Sequence, residues 1–255
     1  MGLRFTSLGS GSSGNGLVVE SGGTRVMMDC GFTVADAKMR LERAGLAPSD
    51  LAGVLVTHEH DDHMGGVARF AQRYAVPVYL TRGSAQWLPP DFPAVLVRYI
   101  DSHSPFAVRD LAIDPFPVPH DAREPVQYAF SDGDARLGVV TDLGCVTQHV
   151  VEKLSGCTAL VVECNHDRDM LMEGPYPPSL KHRVAGRFGH LDNAGARHLV
   201  ENLERSRLKH LIAAHLSKQN NRPELAVQAL ADGAGCEQEW IGVATQEEGF
   251  AWRDA

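Results

Sequence analysis

The chain alternates between short apolar runs and longer segments in which apolar residues recur every three or four positions. Short apolar runs that end at glycine or polar residues predict β-strands, and the longer period predicts helices that pack by one face. The predicted strands cover 3–8, 17–20, 24–29, 54–57, 78–80, 95–99, 111–118, 126–130, 136–141, 160–163 and 211–214. The predicted helices cover 35–44, 67–74, 146–154, a segment that Asp192 caps and that runs to about 204, and 223–230.

The order of these elements is rich in strands and then helical, and this order occurs twice along the chain. Two such halves indicate an α/β protein in which two β-sheets pack face to face with helices outside. The pattern contains no internal repeat, low-complexity tract or linker, so residues 1–255 are predicted to form a single domain. A chain of 255 residues is long enough to bury a large apolar core.

Composition narrows the class of protein. The hydrophobic fraction is 44%, and no apolar run approaches the roughly 20 residues that a membrane helix needs. The first residues lack the pattern of a secretion signal, and the five cysteines are scattered without a CxxC pair. We therefore expect a cytoplasmic protein with free thiols and no membrane partner, in an oligomeric state that the sequence leaves open. The net charge of −8 argues against a surface covered with nucleic-acid contacts, although two bound dications would offset part of it.

The densest group of metal-binding side chains follows the predicted strand 54–57. It reads His58-Glu59-His60-Asp61-Asp62-His63, an H-x-H-x-D-H pattern. Side chains two apart in an extended segment point the same way, so His58 and His60 can share one metal. A helix that begins near Asp62 would turn Asp62 and His63 toward a second metal. Imidazole and carboxylate donors suit Zn²⁺, with Mn²⁺ or Fe²⁺ as alternatives.

Three further ligand-type residues each follow a predicted apolar strand. His120 comes after 111–118, Asp142 after 136–141, and His215 after 211–214. Functional side chains concentrate on loops that a rigid scaffold positions, so these residues are candidates for the same site. Together with the H-x-H-x-D-H loop they predict a site for two divalent metal ions.

These residues resemble, in their order, the five motifs of the metallo-β-lactamase superfamily. The resemblance implies an αββα sandwich of two mixed β-sheets and a metal-dependent hydrolase. It also implies a role for each residue. His58, His60 and His120 would hold the first metal, Asp62, His63 and His215 the second, Asp142 would bridge them, and Asp29 would orient the histidine loop without binding metal.

Other stretches indicate the branch of the superfamily. An aspartate at 142 and the lack of a secretion signal differ from the secreted β-lactamases. The stretches 5–15, 163–167, 189–191 and 215–221 resemble the YycJ-like (WalJ) family, bacterial proteins linked to 5′-to-3′ exonuclease activity on DNA. That family usually has serine where this chain has Asp192, and both residues cap helices well. The related RNase J nucleases carry a large inserted domain that this chain is too short to hold.

Candidate substrate-binding residues lie in three loops. The glycine-serine loop 9–16 offers backbone N–H groups and hydroxyls that could cradle a phosphate, or it is a plain turn between strands. Residues 174–191 contain basic but no acidic side chains, so they form either a phosphate-facing surface or a solvated face. The candidates are Ser10, Ser12, Asn15, Lys181, Arg183, Ser217 and Asn220, the last two through the resemblance alone.

The predicted reaction is phosphodiester hydrolysis by a 5′-to-3′ exonuclease acting on nucleic acid, with DNA favoured over RNA. Two metals about 3.5–4 Å apart would lower the pKa of a shared water to about 7 and neutralise charge on the phosphate. Asp61 or Asp62 could accept a proton, and His190 or His166 could donate one to the leaving oxygen. The alternative is a small-molecule hydrolase for a thioester, a lactone or a cyclic phosphodiester. The position of the basic segment 181–187 relative to the metal cleft discriminates between the two.

Overall fold

A computed structural model describes residues 2–255, which contain fourteen β-strands and nine α-helices. The strands are β1 (Arg4–Gly9), β2 (Gly16–Ser21), β3 (Thr24–Met28), β4 (Gly53–Leu55), β5 (Val78–Leu80), β6 (Val97–Tyr99), β7 (Phe106–Val108), β8 (Leu111–Pro117), β9 (Val126–Ser131), β10 (Arg136–Val140), β11 (Ala159–Glu163), β12 (His210–Ala214), β13 (Ile241–Val243) and β14 (Phe250–Asp254). The helices are α1 (Val34–Arg43), α2 (Asp61–Met64), α3 (Val67–Tyr74), α4 (Arg82–Ala85), α5 (Gln148–Leu154), α6 (Arg168–Glu173), α7 (Pro178–Val184), α8 (Asn193–Asn202) and α9 (Pro223–Ala234). Within this described range, every helix is too short or too polar to cross a membrane.

The described strands form two sheets of seven strands each. The first has the order β14-β1-β2-β3-β4-β5-β6, with antiparallel pairing from β14 to β3 and parallel pairing from β3 to β6. The second has the order β13-β12-β11-β10-β9-β8-β7, with antiparallel pairing from β7 to β10 and parallel pairing from β10 to β13. Each sheet is therefore mixed, and its parallel half contains strands that end beside one another.

Three apolar clusters define the layers of the molecule. The central cluster lies between the two sheets and includes the fully buried Phe5 and Tyr128. A second cluster joins the outer face of the first sheet to α1 and α3, and a third joins the outer face of the other sheet to α5, α8 and α9. Side chains alternate along a strand, so Val26 and Met28 face the centre while Met27 faces the helices. The layers run helix, sheet, sheet, helix, which confirms the predicted αββα sandwich.

Side-chain caps fix where several helices begin. Thr33 accepts a hydrogen bond from the Asp36 amide at the start of α1. Asp192 accepts one from the Gly195 amide, at 2.7 Å, at the start of α8, as the sequence predicted. Pro223 occupies the first turn of α9, where its missing N–H costs nothing. The helix that this proline starts continues to 234, four residues beyond the predicted end.

The differences from the predicted elements have physical causes. Residues 94–96 form a 3₁₀ turn after Pro93, so the strand predicted at 95–99 is limited to 97–99. The pattern also missed β7, β13 and β14, which are short strands at the sheet edges with partly exposed side chains. Such strands lack the continuous apolar run of a central strand. Three short helices, α4, α6 and α7, were missed as well, and α7 occupies part of the basic segment 174–191.

Candidate metal centre

Ligand-type side chains gather where parallel strands of both sheets end. The loops after β3 and β4 carry Asp29 and the 58–63 segment, and the loops after β10 and β12 carry Asp142 and His215. Asp29, Asp142 and His215 each adopt a left-handed backbone, with φ of 61°, 53° and 55°. This conformation is uncommon for residues other than glycine and costs on the order of 1 kcal/mol. Three such residues at adjacent strand ends indicate a site where the direction of the side chains matters more than a relaxed backbone.

His58, His60 and His120 form the first group of donor atoms. The Nε2 atoms of His58 and His120 lie 3.0 and 3.2 Å from His60 Nδ1. Nitrogen ligands bound to Zn²⁺ at about 2.0–2.1 Å lie about 3–3.5 Å from one another. The three nitrogens therefore have the spacing of ligands around a single cation.

Hydrogen bonds on the far sides of these rings fix which nitrogen faces the group. Thr57 Oγ1 donates to Asp29 Oδ2 at 2.9 Å, and so accepts the proton of His58 Nδ1 at 3.0 Å. His120 Nδ1 donates to the Gly189 carbonyl at 2.9 Å. Burial lowers the pKa values of both histidines, which keeps the rings neutral. Their Nε2 lone pairs point into the group and repel each other unless a proton or a cation lies between them.

Asp62, His63 and His215 form the second group. Asp62 Oδ2 lies 3.5 Å from His63 Nε2 and 3.3 Å from His215 Nε2. His63 Nδ1 donates to Asp29 at 2.8 Å, so again Nε2 is the nitrogen that faces the group. Burial alone would lower the pKa values of His63 and His215, but the surrounding carboxylates raise both, to about 10 for His215. Without a cation these two rings are therefore protonated at neutral pH.

Asp142 lies between the two groups. Its Oδ1 is 3.9 Å from His120 Nε2 and its Oδ2 is 2.9 Å from His63 Nε2. The residue is 1% exposed, and no hydrogen bond of acceptable geometry from residues 2–255 reaches Oδ2. Its close neighbour, His63 Nε2, is not aligned for a hydrogen bond, and a cation beside a buried carboxylate oxygen offsets the cost of burying it. The seven residues thus fit a pair of divalent metal ions, with Asp142 positioned to contact both.

Asp29 lies beneath the histidine loop. Its Oδ1 accepts a hydrogen bond from the Thr57 amide, and its Oδ2 accepts from Thr57 Oγ1 and His63 Nδ1, all at 2.8–2.9 Å. Both oxygens are used by these bonds, and the carboxylate belongs to neither donor group. This is the orienting position that the family resemblance implies for Asp29.

Glu163 is a candidate that the sequence analysis did not single out. It ends β11, is fully buried, and places Oε1 2.8 Å from His190 Nδ1 and 3.0 Å from His215 Nδ1. Its Oε2 accepts two backbone amides at 2.8 and 3.0 Å. Burial alone would raise its pKa, but the imidazoles lower the pKa to about 2, so the carboxyl is ionised. The available signal was its position at the end of an apolar strand, which it shares with Asp142 and His215.

His190, a predicted proton donor, lies at the edge of the cluster. Its ring centroid is 5.4 Å from those of His120 and His215, and its side chain is 21% exposed. Burial alone would lower its pKa, but Glu163 raises it. His166, the other predicted donor, is 1% exposed, and burial lowers its pKa. It belongs to none of the donor groups found among the described residues.

The glycine-serine loop packs against the second donor group. Ser10 Oγ accepts a hydrogen bond from the His215 amide at 2.9 Å. The Asn15 side-chain amide lies 3.1 Å from His63 Nε2 and 3.4 Å from Asp62 Oδ2. Both residues are buried, whereas Ser12 is exposed at the loop tip. The loop thus supports the donor group. Of its three predicted substrate-binding residues, Ser12 is the one that faces solvent.

The loop after β12 contains Ser217 and Asn220, which are both buried. Ser217 Oγ accepts a hydrogen bond from the Asn220 amide at 3.2 Å, and the Asn220 carbonyl accepts one from the Asp167 amide at 2.8 Å. Asn220 Oδ1 has no hydrogen-bond partner among residues 2–255. These contacts tie the loop that carries His215 to the start of α6.

The basic segment reaches the edge of the cluster through Arg183. Its Nε donates to Asp121 Oδ2 at 2.6 Å, and Asp121 Oδ1 lies 3.5 Å from His120 Nε2 and 3.8 Å from His60 Nε2. Asp121 was not predicted, although it directly follows a predicted ligand. Lys181 is not brought to the cluster, because its ammonium donates to a backbone carbonyl of α6 at 2.5 Å.

The family described as "Beta-lactamase superfamily domain" matches residues 24–215, a range that contains every residue of the two donor groups. The chain belongs to this superfamily. A solved structure of the superfamily's fold, the "metallo-beta-lactamase fold protein YhfI" of Bacillus subtilis, aligns over 99% of both chains with a TM-score of 0.76 and 14% identity. The predicted fold is therefore confirmed.

Two relatives align with most of the chain. "Exodeoxyribonuclease YycJ" of Bacillus anthracis is 35% identical over 229 residues, which cover 89% of this chain and 87% of that protein. "Exodeoxyribonuclease WalJ" of Streptococcus pneumoniae is 32% identical over 235 residues, which cover 89% of this chain and 86% of that protein. These matches confirm the predicted resemblance to the YycJ-like (WalJ) family.

Proposed function

We propose that this superfamily member is a metal-dependent phosphodiesterase that removes nucleotides from the 5′ end of DNA. The observation that carries the proposal is the position of Asp142 between two groups of metal-binding side chains. One carboxylate shared by two donor groups suits a pair of divalent ions, which is the arrangement used for in-line displacement at phosphorus. The two relatives, both named exodeoxyribonucleases, support DNA as the polymer.

The donor groups set the chemistry that bound metals would supply. Divalent cations held there would act as Lewis acids toward the phosphate and lower the pKa of water to about 7. The donors are five imidazoles and two carboxylates, a set that suits Zn²⁺ and also accommodates Mn²⁺ or Fe²⁺. Asp62 belongs to this set. Burial alone would raise its pKa, but His63 and His215 lower it, so it serves as a metal-holding carboxylate rather than a base.

Two side chains beside the donor groups act on the phosphodiester itself. The Arg183 guanidinium uses its Nε for Asp121, and its terminal nitrogens remain to bind a phosphate oxygen. His190 is held at Nδ1 by Glu163, which leaves Nε2 to carry a proton toward the leaving oxygen. In this scheme Arg183 positions the substrate and His190 is the general acid.

The basic segment favours a polymer over a small thioester, lactone or cyclic phosphodiester. α7 places Arg183 at the edge of the donor groups, and the exposed Arg187 follows it. No acidic side chain occurs between 174 and 191, in a protein whose net charge is −8. A local cationic surface in an acidic protein serves to bind several phosphates, which a small substrate does not present.

The test is an exonuclease assay with the purified protein. Loaded with Mn²⁺ or Zn²⁺, it should release the label as a mononucleotide from 5′-labelled single- or double-stranded DNA faster than from RNA of the same sequence, and it should leave a thioester intact. His60→Ala should abolish the activity, because it removes the nitrogen that lies nearest to two other donors. His198→Ala changes an exposed histidine of α8 and should retain full activity. Wild-type protein that leaves DNA intact, or DNA cleavage that survives in His60→Ala, would refute the proposal.

A further inference from the structure

Phe188 is a large apolar side chain that the fold leaves uncovered beside the metal centre. Its side chain is 61% exposed, although it lies only two residues before His190. A singly exposed apolar side chain is common on a monomer, and Phe188 differs from such residues by its place beside the metal centre. A ring in this position is available to contact a bound substrate.

The backbone on both sides of Phe188 is fixed to the metal centre. The Phe188 carbonyl accepts a hydrogen bond from the Asp121 amide at 2.8 Å, and the next carbonyl, of Gly189, accepts from His120 Nδ1 at 2.9 Å. Gly144, two residues after Asp142, packs so tightly here that a Cβ on it would lie 2.6 Å from Phe188 Cα. The ring is therefore presented from a rigid segment wedged between the loops that follow β8 and β10.

The charges around Phe188 complement a nucleic-acid backbone. The exposed Arg187 directly precedes it, and Arg183, near the end of α7, has 58% of its side chain exposed. The segment contributes no carboxylate of its own between 174 and 191, and Asp121 is already paired with Arg183. An exposed aromatic ring next to exposed basic residues is the combination that binds a single strand, by stacking bases and tracking phosphates.

We infer that Phe188 is a stacking platform for an unpaired nucleobase of the DNA strand whose phosphate is cleaved. This inference rests on the proposed nuclease function and deepens it, because it specifies single-stranded DNA, or a frayed duplex end, as the bound form. A base inside a duplex is stacked on both faces, so only a base at a strand end or outside a duplex offers a free face to this ring.

A second exposed aromatic residue supplies a matched control. Trp87 is 64% exposed and lines a groove together with Glu59, Asp61 and Arg69. The two carboxylates outnumber the one guanidinium, so the groove is net negative and repels phosphate. Phe188 and Trp87 thus have similar exposure and opposite electrostatic surroundings, and only Phe188 should affect DNA cleavage.

The experiment compares Phe188→Ala, Phe188→Leu, Phe188→Trp and Trp87→Ala on two substrates. One is a single-stranded oligonucleotide, with or without abasic residues at its first two positions. The other is O-ethyl S-ethyl phosphorothiolate, a diester that has no aromatic ring and whose thiol product is detected with Ellman's reagent. Stacking on one base corresponds to about a tenfold to hundredfold change, so Phe188→Ala should lower kcat/KM on DNA by that factor, mainly through KM. Phe188→Trp should keep the activity, and Phe188→Leu should not restore it.

Two readouts separate stacking from a merely structural role. Hydrolysis of the phosphorothiolate diester should be the same in every variant, and abasic DNA should lower the wild-type rate to that of Phe188→Ala without lowering the variant further. Equal rates of wild type and Phe188→Ala on DNA would overturn the inference, as would a parallel loss on both substrates or an equal loss in Trp87→Ala. Wild-type protein that hydrolyses the diester but no DNA would instead refute the proposed nuclease function, and the inference with it.

Discussion

Four donor imidazoles of the metal centre are each bound on their far side by an acceptor. The acceptors are Thr57 Oγ1 for His58, Asp29 for His63, the Gly189 carbonyl for His120 and Glu163 for His215. Each bond holds the proton on Nδ1 and turns Nε2 toward the donor groups. The acceptors behind the rings therefore control which ring nitrogen carries the proton and which one is free to bind a metal.

Substitution of Glu163 tests this control at the level of one residue. Glu163→Gln keeps the size of the side chain but removes the charge that His215 and His190 share. We expect metal affinity to fall about 10- to 100-fold, the usual effect of removing a carboxylate behind a metal-binding histidine. Competition with a chromophoric chelator measures the affinity. Glu201→Gln, an exposed residue of α8, is the control, and equal affinities in the two variants would contradict the role given to Glu163.

Metal uptake should release protons. The pKa of His215 is raised to about 10 and that of His63 is also raised, so both rings are protonated at pH 7.5 when no cation is bound. A metal ion needs the lone pair of Nε2 and so displaces those protons, and its affinity rises with pH until about pH 10. Calorimetric titration in Tris and in phosphate, whose ionisation enthalpies differ, should give different heats of binding. Identical heats in the two buffers would contradict the predicted release.

Residue identities in the donor groups could be predicted because each of these residues follows an apolar strand that the pattern reveals. Asp142 and His215 are examples, since both come directly after runs of buried aliphatic residues. Glu163 and Asp121 could not be ranked in this way. Glu163 contacts imidazoles 27 and 52 positions away along the chain, and Asp121 approaches that of His60, 61 positions away, and sequence spacing does not encode such distances.

At the level of elements, the metal loop depends on close backbone packing as well as on its donors. A Cβ on Gly31 would lie 1.9 Å from the Asp62 carbonyl oxygen, so the loops after β3 and β4 fit only with glycine there. Gly31→Ala should displace Asp62, destabilise the protein by about 1–3 kcal/mol and weaken metal binding. Urea unfolding and metal titration measure the two effects.

Gly23 offers the matched control for that substitution. It lies in the turn between β2 and β3, and a Cβ there meets no atom within 4 Å. Gly23→Ala should therefore leave both stability and metal affinity unchanged. If Gly31→Ala matched it in both measurements, the close approach of the two loops would have no part in holding Asp62.

Elements in the middle of each sheet were predictable, whereas those at its edges were not. Residues 26–28 of β3 and 159–162 of β11 are buried on both faces and appear in the sequence as continuous apolar runs. β14 pairs along one edge and leaves most of its side chains partly exposed, so its pattern resembles that of a loop. α7 has no buried residue, which explains why its helical period was not visible.

At the level of the whole molecule, the metal centre joins the two sheets. Asp62 and His63 come from the loop after a strand of the first sheet, and Asp142 and His215 come from loops after strands of the second. Bound metal at a concentration 100-fold above Kd adds about 2.7 kcal/mol of stability. For a chain of this size, removing it with EDTA should lower the Tm by about 5–10 °C.

Scanning calorimetry with and without the chelator tests this link and the predicted single domain. Both forms should unfold in one transition, because the central cluster is shared by the two sheets. His60→Ala should respond less to EDTA than wild type, and His198→Ala should respond as wild type does. A Tm that is indifferent to EDTA in the wild type would contradict the link, and two separate transitions would contradict the single domain.

The left-handed backbone at Asp29, Asp142 and His215 creates a conflict between the stability of the protein and its chemistry. Glycine at any of these positions would relieve the local strain, but it would also delete a carboxylate or an imidazole. A substitution that stabilises the protein at one of these three positions would therefore also remove a side chain that the site needs. Engineers who raise the stability of this protein should leave them unchanged and seek their gains on the opposite end of the sandwich.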